Sequence, residues 1–214
     1  MGRQEKQVGY RTTNTYETLN EVTGKTKNVW IVLHGIGYLS KYFLRYFEDL
    51  NPEENYVIAP QAPSKYYLKN EYKHVGASWL TKERTELEVQ NVVAYLNAVY
   101  QAENIPEHCQ LYILGFSQGV SIATRWVARG QIKCRSLILY AGGIPNELTP
   151  DDFSFLETNN TSVSILVGNR DEYLNAERLQ QESIKMEKLF KGRAKQIIFE
   201  GGHELKKELI HQLI

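Results

Sequence analysis

"LYILGFSQGVSIATRWVARG", residues 111–130, decides the fold. Leu111, Tyr112, Ile113 and Leu114 form an apolar run of strand length. They lead directly into Gly115-Phe116-Ser117-Gln118-Gly119, and a helical pattern starts at once and continues to Arg129. A buried strand turning sharply into an amphipathic helix is the repeating unit of an α/β sheet. The turn has the form G-x-S-x-G. A serine held on such a turn with its hydroxyl projecting needs glycine two positions away on each side, because a Cβ there meets the turn or the neighbouring strand. By composition alone a chain of this length contains the pattern about once in 15 cases. The strand before it and the helix after it therefore carry the reading that Ser117 is a nucleophile and not merely a small turn residue.

Outward from this unit, the same alternation repeats. Short apolar runs occur at Asn28–Leu33, Tyr56–Ala59, Ser136–Tyr140, Ser162–Val167 and Gln196–Phe199. Each is nearly continuously apolar, as strands buried on both faces of a parallel sheet must be. Val89, Val92, Val93, Leu96, Val99 and Tyr100 make one helical stripe. Ala176–Phe190 and Glu204–Ile214 are further predicted helices. Gln7–Leu19 alternates and is rich in Tyr and Thr, which predicts a leading edge hairpin. The expected architecture is a mostly parallel central sheet with helices on both faces and no inserted lid domain. Without repeats, low-complexity tracts or linkers, residues 1–214 read as one domain. In such sheets, ligands bind at the carboxyl ends of the strands.

Composition narrows the function classes. Apolar residues make up 42% and charged residues 23%, as in ordinary globular proteins. Lys+Arg and Asp+Glu balance at 25 each, so no nucleic-acid partner is expected. The polar start "MGRQEKQVGY" has no signal-peptide core, and no apolar run reaches the roughly 20 residues of a membrane span. A cytoplasmic protein without stable membrane insertion is the expectation. Cys109 and Cys134 have neither metal-ligand spacing nor disulfide logic, so no metal is expected.

A serine hydroxyl needs a base, and the base needs an orienting acid. Of the five histidines, His203 in "FEGGHEL" is placed just past a buried strand on a Gly-rich loop. His108 precedes a strand and belongs at the opposite sheet edge. His211 falls in the terminal helix pattern, His74 in a polar connection, and His34 is followed by Gly-Ile-Gly, which suits another role. For the acid, Asp171 in "LVGNRDEYL" follows the preceding strand. Glu172 is its neighbour and rival, while Asp151-Asp152 read better as a first helical turn. The order Ser117, Asp171, His203 is nucleophile, acid, base. "LHGIGYLS", residues 33–40, supplies the remaining requirement, amides for an oxyanion. Gly35 and Gly37 let the backbone turn inward, leaving the N–H of Ile36 and that of Gln118 as donors.

Together these pieces resemble the phospholipase/carboxylesterase group of α/β-hydrolases, which includes acyl-protein thioesterases and small bacterial carboxylesterases. The resemblance runs from about Trp30 to the end. It rests on His34-Gly35-Ile36-Gly37, Pro60-x-Ala62-Pro63, Ser78-Trp79, Gly115-Phe116-Ser117-Gln118-Gly119, Asp171 and Gly202-His203-Glu204. It implies hydrolysis of carboxylic esters or thioesters without metal or cofactor. The family's catalytic serine, acid and histidine carry over to Ser117, Asp171 and His203, and its oxyanion amides to Ile36 and Gln118. Two positions depart from its pattern: Tyr38 where an acidic residue is usual, and Val120 where Gly or Ala often follows the elbow. The Tyr-rich stretch 61–81, ending near Trp79, is a candidate wall of an acyl pocket, with Tyr38, Leu39, Tyr173 and Leu174 near the other rim. A site without a lid favours small-molecule or acylated substrates with small or flexible acyl groups. The rivals are an acyl-protein thioesterase, a lysophospholipase, and a hydrolase-fold binding protein that does no chemistry.

Overall fold

The computed structural model describes residues 2–69, 71–173 and 176–214. Nine strands are present among them: β1 Tyr16–Leu19, β2 Asn28–Leu33, β3 Asn55–Pro60, β4 Ser64–Leu68, β5 His74–Ser78, β6 Gln110–Phe116, β7 Ser136–Tyr140, β8 Ser162–Gly168 and β9 Ala194–Phe199. The helices are α1 Ser40–Phe43, α2 Thr85–Ala102, α3 Gln118–Gly130, α4 Ser154–Thr158, α5 Ala176–Phe190 and α6 Lys207–Ile210. Seven strands form one sheet in the order β1-β3-β2-β6-β7-β8-β9. All its neighbours pair in parallel except β1, which runs antiparallel to β3. This is the mostly parallel central sheet that the sequence predicts.

Continuous hydrophobicity in β2, β3, β6 and β7 follows from their two covered faces, whereas the edge strand β9, expected to be covered on both faces, has no neighbour beyond it and leaves Ile198 64% exposed. In β2, Val29, Ile31 and Leu33 join a core with Val92, Leu96 and Val99 of α2, Val120, Ala123 and Val127 of α3, and Met186 and Leu189 of α5. The alternate residues Trp30 and Val32 point the other way, into a core with Phe43, Phe47, Leu205 and Ile210. A period of two thus feeds two separate cores. The cover is lopsided: four helices lie on the first face, and on the second lie α1, α6 and the short 3₁₀ turn Leu44–Phe47.

Two expectations are corrected. Gln7–Leu19 gives one strand, β1, and no hairpin, because the upstream Val8 and Tyr10 lie exposed with no face to pack on. The terminal helix shrinks to α6 followed by a 3₁₀ turn at His211–Leu213, anchored by buried Leu205 and Ile210. The long Tyr-rich connection after β3 has structure of its own. It folds into a separate antiparallel hairpin, β4–β5, with Ser64 opposite Ser78 and Leu68 opposite His74.

The stripe on α2 gives a direct check. Leu96→Ala removes a fully buried side chain of the first core and should cost about 2–5 kcal/mol in denaturant unfolding. Leu87→Ala on the exposed face should stay within about 0.5 kcal/mol. Equal effects would mean that α2 presents a different face to the sheet.

Candidate active site

β6 ends at Phe116, and the chain reverses at Ser117 with φ 53° and ψ −117° before α3 begins. A non-glycine residue in this region is strained by about 1–3 kcal/mol and persists only where its surroundings hold it. They do so here. The Ser117 N–H donates to the Tyr140 carbonyl at 2.9 Å, and the Ser117 carbonyl accepts from Val120 N at 3.0 Å. A Cβ on Gly115 would lie 2.7 Å from Val120 N, and one on Gly119 would lie 2.7 Å from the Leu33 carbonyl carbon. The two glycines of the motif are therefore steric requirements.

Two other strand ends bring side chains to this turn. Beyond β8, the Asp171 carboxylate is fully buried, and its Oδ1 accepts the Tyr173 N–H at 2.9 Å. Beyond β9, His203 sits on a loop tied to the Asp171 loop by Asn169 N to Phe199 O (2.9 Å), Arg170 N to Gly201 O (2.8 Å) and Gly201 N to Asn169 Oδ1 (3.1 Å). With the loops fixed against each other, His203 Nδ1 lies 2.8 Å from Asp171 Oδ2, and its Nε2 lies 2.9 Å from Ser117 Oγ. This geometry suits the neutral tautomer in which Nδ1–H donates to the carboxylate and Nε2 accepts the serine hydroxyl proton. The ring packs on Phe116 (5.3 Å) and meets Tyr173 edge-on (4.7 Å).

The Gly35–Gly37 loop closes the third side. A Cβ on Gly35 would stand 3.0 Å from Ser117 Cβ, so the Ile36 backbone runs beside the serine. Ser117, His203, Ile36 and Gln118 all border one cleft of about 1190 Å³.

A family model described as "Phospholipase/Carboxylesterase" matches residues 14–214. The chain belongs to the phospholipase/carboxylesterase family. No curated protein sequence matches it. Its fold is similar to solved structures of a phospholipase/carboxylesterase from Dyadobacter fermentans DSM 18053 (22% identity, 95% of each chain covered, TM-score 0.67) and Zea mays acyl-protein thioesterase 2 (16% identity, 94% of this chain and 96% of that one, TM-score 0.67). A carboxylesterase from Mesorhizobium loti is similar as well, at 15% identity over 92% of each chain and a TM-score of 0.68. Members of this family are carboxylesterase- or thioesterase-type hydrolases of ester bonds, and this chain is one of them.

Within this family member, the pocket residues read from sequence separate into two groups. Tyr38 and Tyr173 line the cleft. Burial raises the Tyr38 hydroxyl well above its ordinary range, so it stays protonated, 3.1 Å from the Tyr46 hydroxyl. Leu174 lies outside the described residues. Leu39 and Trp79 do not line the cleft. Leu39 opens α1 and packs against the first core, and Trp79 is fully buried. The Trp79 indole N–H donates to the His34 carbonyl at 2.7 Å, which draws the ring beneath the Gly35–Gly37 loop. None of the described residues of 61–81 lines the cleft. Instead, the β4–β5 hairpin stands behind the loop, with Gly37 N donating to Ala77 O at 2.8 Å. The opposite wall comes from residues 141–146 after β7 and from α5.

Sequence reading missed the Gln118 side chain. Its Oε1 accepts Trp79 N (2.9 Å), and its Nε2 donates to Leu80 O (2.8 Å) and Ser78 Oγ (3.1 Å). One residue thus clamps the strand end that carries Trp79. Pairing of Gln118 with the Ser78-Trp79 motif was the available signal. His34 belongs to the same support: it is fully buried, its Nδ1–H donates to Gly35 O (2.8 Å), and its Nε2 accepts Ala62 N–H (3.1 Å).

Burial lowers the His34 imidazole from 6.5 to about 4. An unfolded chain then binds a proton below pH 6.5 that the folded chain refuses until about pH 4. The associated stability is complete above pH 6.5 and is lost as pH falls through that window. Unfolding free energy should drop by about 2 kcal/mol between pH 6.5 and pH 5 from this group alone. His34→Asn should show a flatter denaturation profile over the same range. An identical profile would mean that His34 is not held neutral.

Proposed function

We propose that the protein is a serine carboxylic-ester hydrolase that works through an acyl-enzyme, with residues 1–214 forming one catalytic domain. The observation that carries this reading is the unbroken relay from Asp171 Oδ2 through His203 to Ser117 Oγ, with contacts of 2.8 and 2.9 Å. Ser117 Oγ attacks the ester carbonyl while His203 Nε2 takes its proton, and Asp171 holds the tautomer and stabilises the imidazolium. The backbone N–H groups of Ile36 and Gln118 receive the oxyanion. Collapse breaks the ester C–O bond, and the leaving alcohol takes the proton from His203. A water molecule, deprotonated by the same Nε2, then attacks the acyl carbonyl. Its oxyanion collapses to release the acid and return the proton to Ser117.

A binding protein without chemistry would tolerate a serine and histidine out of hydrogen-bond reach, and the 2.9 Å contact argues against it. The absence of an acyl wall from 61–81 among the described residues supports small or flexible acyl groups over long lipid chains. Thioesters fit the same relay, since a thiolate leaves more readily than an alkoxide.

Hydrolysis of p-nitrophenyl esters of increasing acyl length, compared with Ser117→Ala, tests the reading. The variant should lose about 10⁴- to 10⁶-fold in kcat. Wild type and variant with equal rates on every ester and thioester would overturn it.

A further inference from the structure

Beyond the serine, α3 carries a feature that ester cleavage itself does not require. Ser117, Ser121 and Arg125 follow one another at steps of four residues, so they share one face of the helix, and all three line the cleft. At 1.5 Å rise per residue, the Arg125 backbone lies about 12 Å along the cleft floor from Ser117. Its side chain is only 10% exposed. Nη1 donates to Ser121 Oγ at 3.1 Å and Nε to Glu147 Oε1 at 2.7 Å, which fixes the orientation of the guanidinium fork. These bonds use two of its five N–H donors. The pairing carboxylate is itself 49% exposed, so it is an incomplete partner for a charge this deeply buried.

The surroundings combine apolar groups near the serine, such as Ile36, Phe116 and Tyr173, with several charged side chains. Lys82, Arg125, Arg178 and Lys185 bring four positive charges to the lining, against Glu177 and Glu182. Glu182 is already committed: it accepts Ile144 N at 3.1 Å and Lys185 Nζ at 3.2 Å. Lys185 also donates to the Ile144 carbonyl at 2.8 Å. Glu182 and Lys185 therefore brace the loop that forms the far wall. Glu177 lies in the first turn of α5, and Lys82, an exposed residue, has no ion-pair partner among the described residues. An alkyl chain laid along this floor would strip water from these groups without replacing its hydrogen bonds. A carboxylate would meet a planar fork matched to its own geometry.

We infer that the cleft selects esters carrying a free carboxylate several bonds from the scissile carbonyl, with Arg125 as its receptor and Lys82 as a rim cation. This rests on the esterase reading above and adds a specificity to it. The carboxylate belongs either to the acyl group, as in a half-ester of a dicarboxylic acid, or to the alcohol, and the chemistry at Arg125 is the same.

The experiment compares kcat/KM for mono-p-nitrophenyl esters of succinate, glutarate, adipate and suberate with neutral p-nitrophenyl esters of matched length. A parallel arm uses acetate esters of ω-hydroxy acids against acetates of simple alcohols. An optimum at one spacer length, with the acid preferred about 10- to 100-fold in either arm, is the expected result, and the arm that shows it identifies the acyl or alcohol side. In Arg125→Gln the acid-to-neutral ratio should fall toward one. In Lys82→Gln it should fall less, and in Glu147→Gln, which removes the competing carboxylate, it should rise. Because each ratio is taken within one variant, a partly folded preparation lowers both rates and leaves the ratio intact. Neutral esters preferred in both arms, or a ratio unmoved by Arg125→Gln, would overturn the inference. That outcome leaves the esterase reading standing if Ser117→Ala still abolishes turnover.

Discussion

A Cβ at position 119 would overlap the carbonyl of Leu33, and one at 115 would run into the backbone of the first turn of α3. The start of α3 is thus pressed onto the ends of β2 and β6 more closely than any side chain allows. This contact forces the reversal at Ser117 and its positive φ, and it sets the floor on which the cleft stands. It also brings the Gly35 loop against Ser117 Cβ, because β2 and β6 are adjacent and in register from Asn28–Gln110 to Leu33–Gly115. The sheet order then delivers the rest. β7, β8 and β9 follow β6 in sequence and in space, so the loops after β8 and β9 emerge side by side at the same carboxyl edge.

The parts of this arrangement legible in sequence are those that local chemistry dictates. Both faces of β2, β6 and β7 are buried, so their runs are nearly continuously apolar. The α2 stripe is periodic because one face of a long helix must be dry. The glycines at 115 and 119 were readable because the close approach tolerates nothing else. Less legible were residues whose role depends on where a distant segment folds. Trp79 looks like a pocket aromatic until its indole is seen to bond the carbonyl of His34, 45 residues away. The stretch after β3 looks like a loop wall because Tyr-rich sequence does not say which partner it will find, and β4 and β5 find each other. Arg125 stands out as a cation inside an otherwise apolar helix segment, yet sequence alone does not say that its face turns to the cleft.

Two kinds of support surround the serine. The Asp171 and His203 loops are held by backbone hydrogen bonds to each other, independent of most side chains. The Gly35–Gly37 loop relies on side chains from elsewhere: His34 and Trp79 from beneath, and the Gln118 amide holding Trp79. The residue after the nucleophile consequently contributes twice, once through its position beside the cleft and once through its side chain.

The hairpin β4–β5 pairs with no strand of the main sheet, yet Gly76 approaches Gly37 so closely that a Cβ there would lie 2.8 Å from its Cα. Its middle rests on the active-site loop, and Lys69 and Glu71 at its far end lie in solvent. Exposed positions of this kind accept insertions and tags. Its middle has no such freedom, since a methyl group at Gly76 would displace the loop beside the serine. Within one fifteen-residue excursion, tolerance to change therefore runs from nearly complete to nearly none, graded by distance from Gly37.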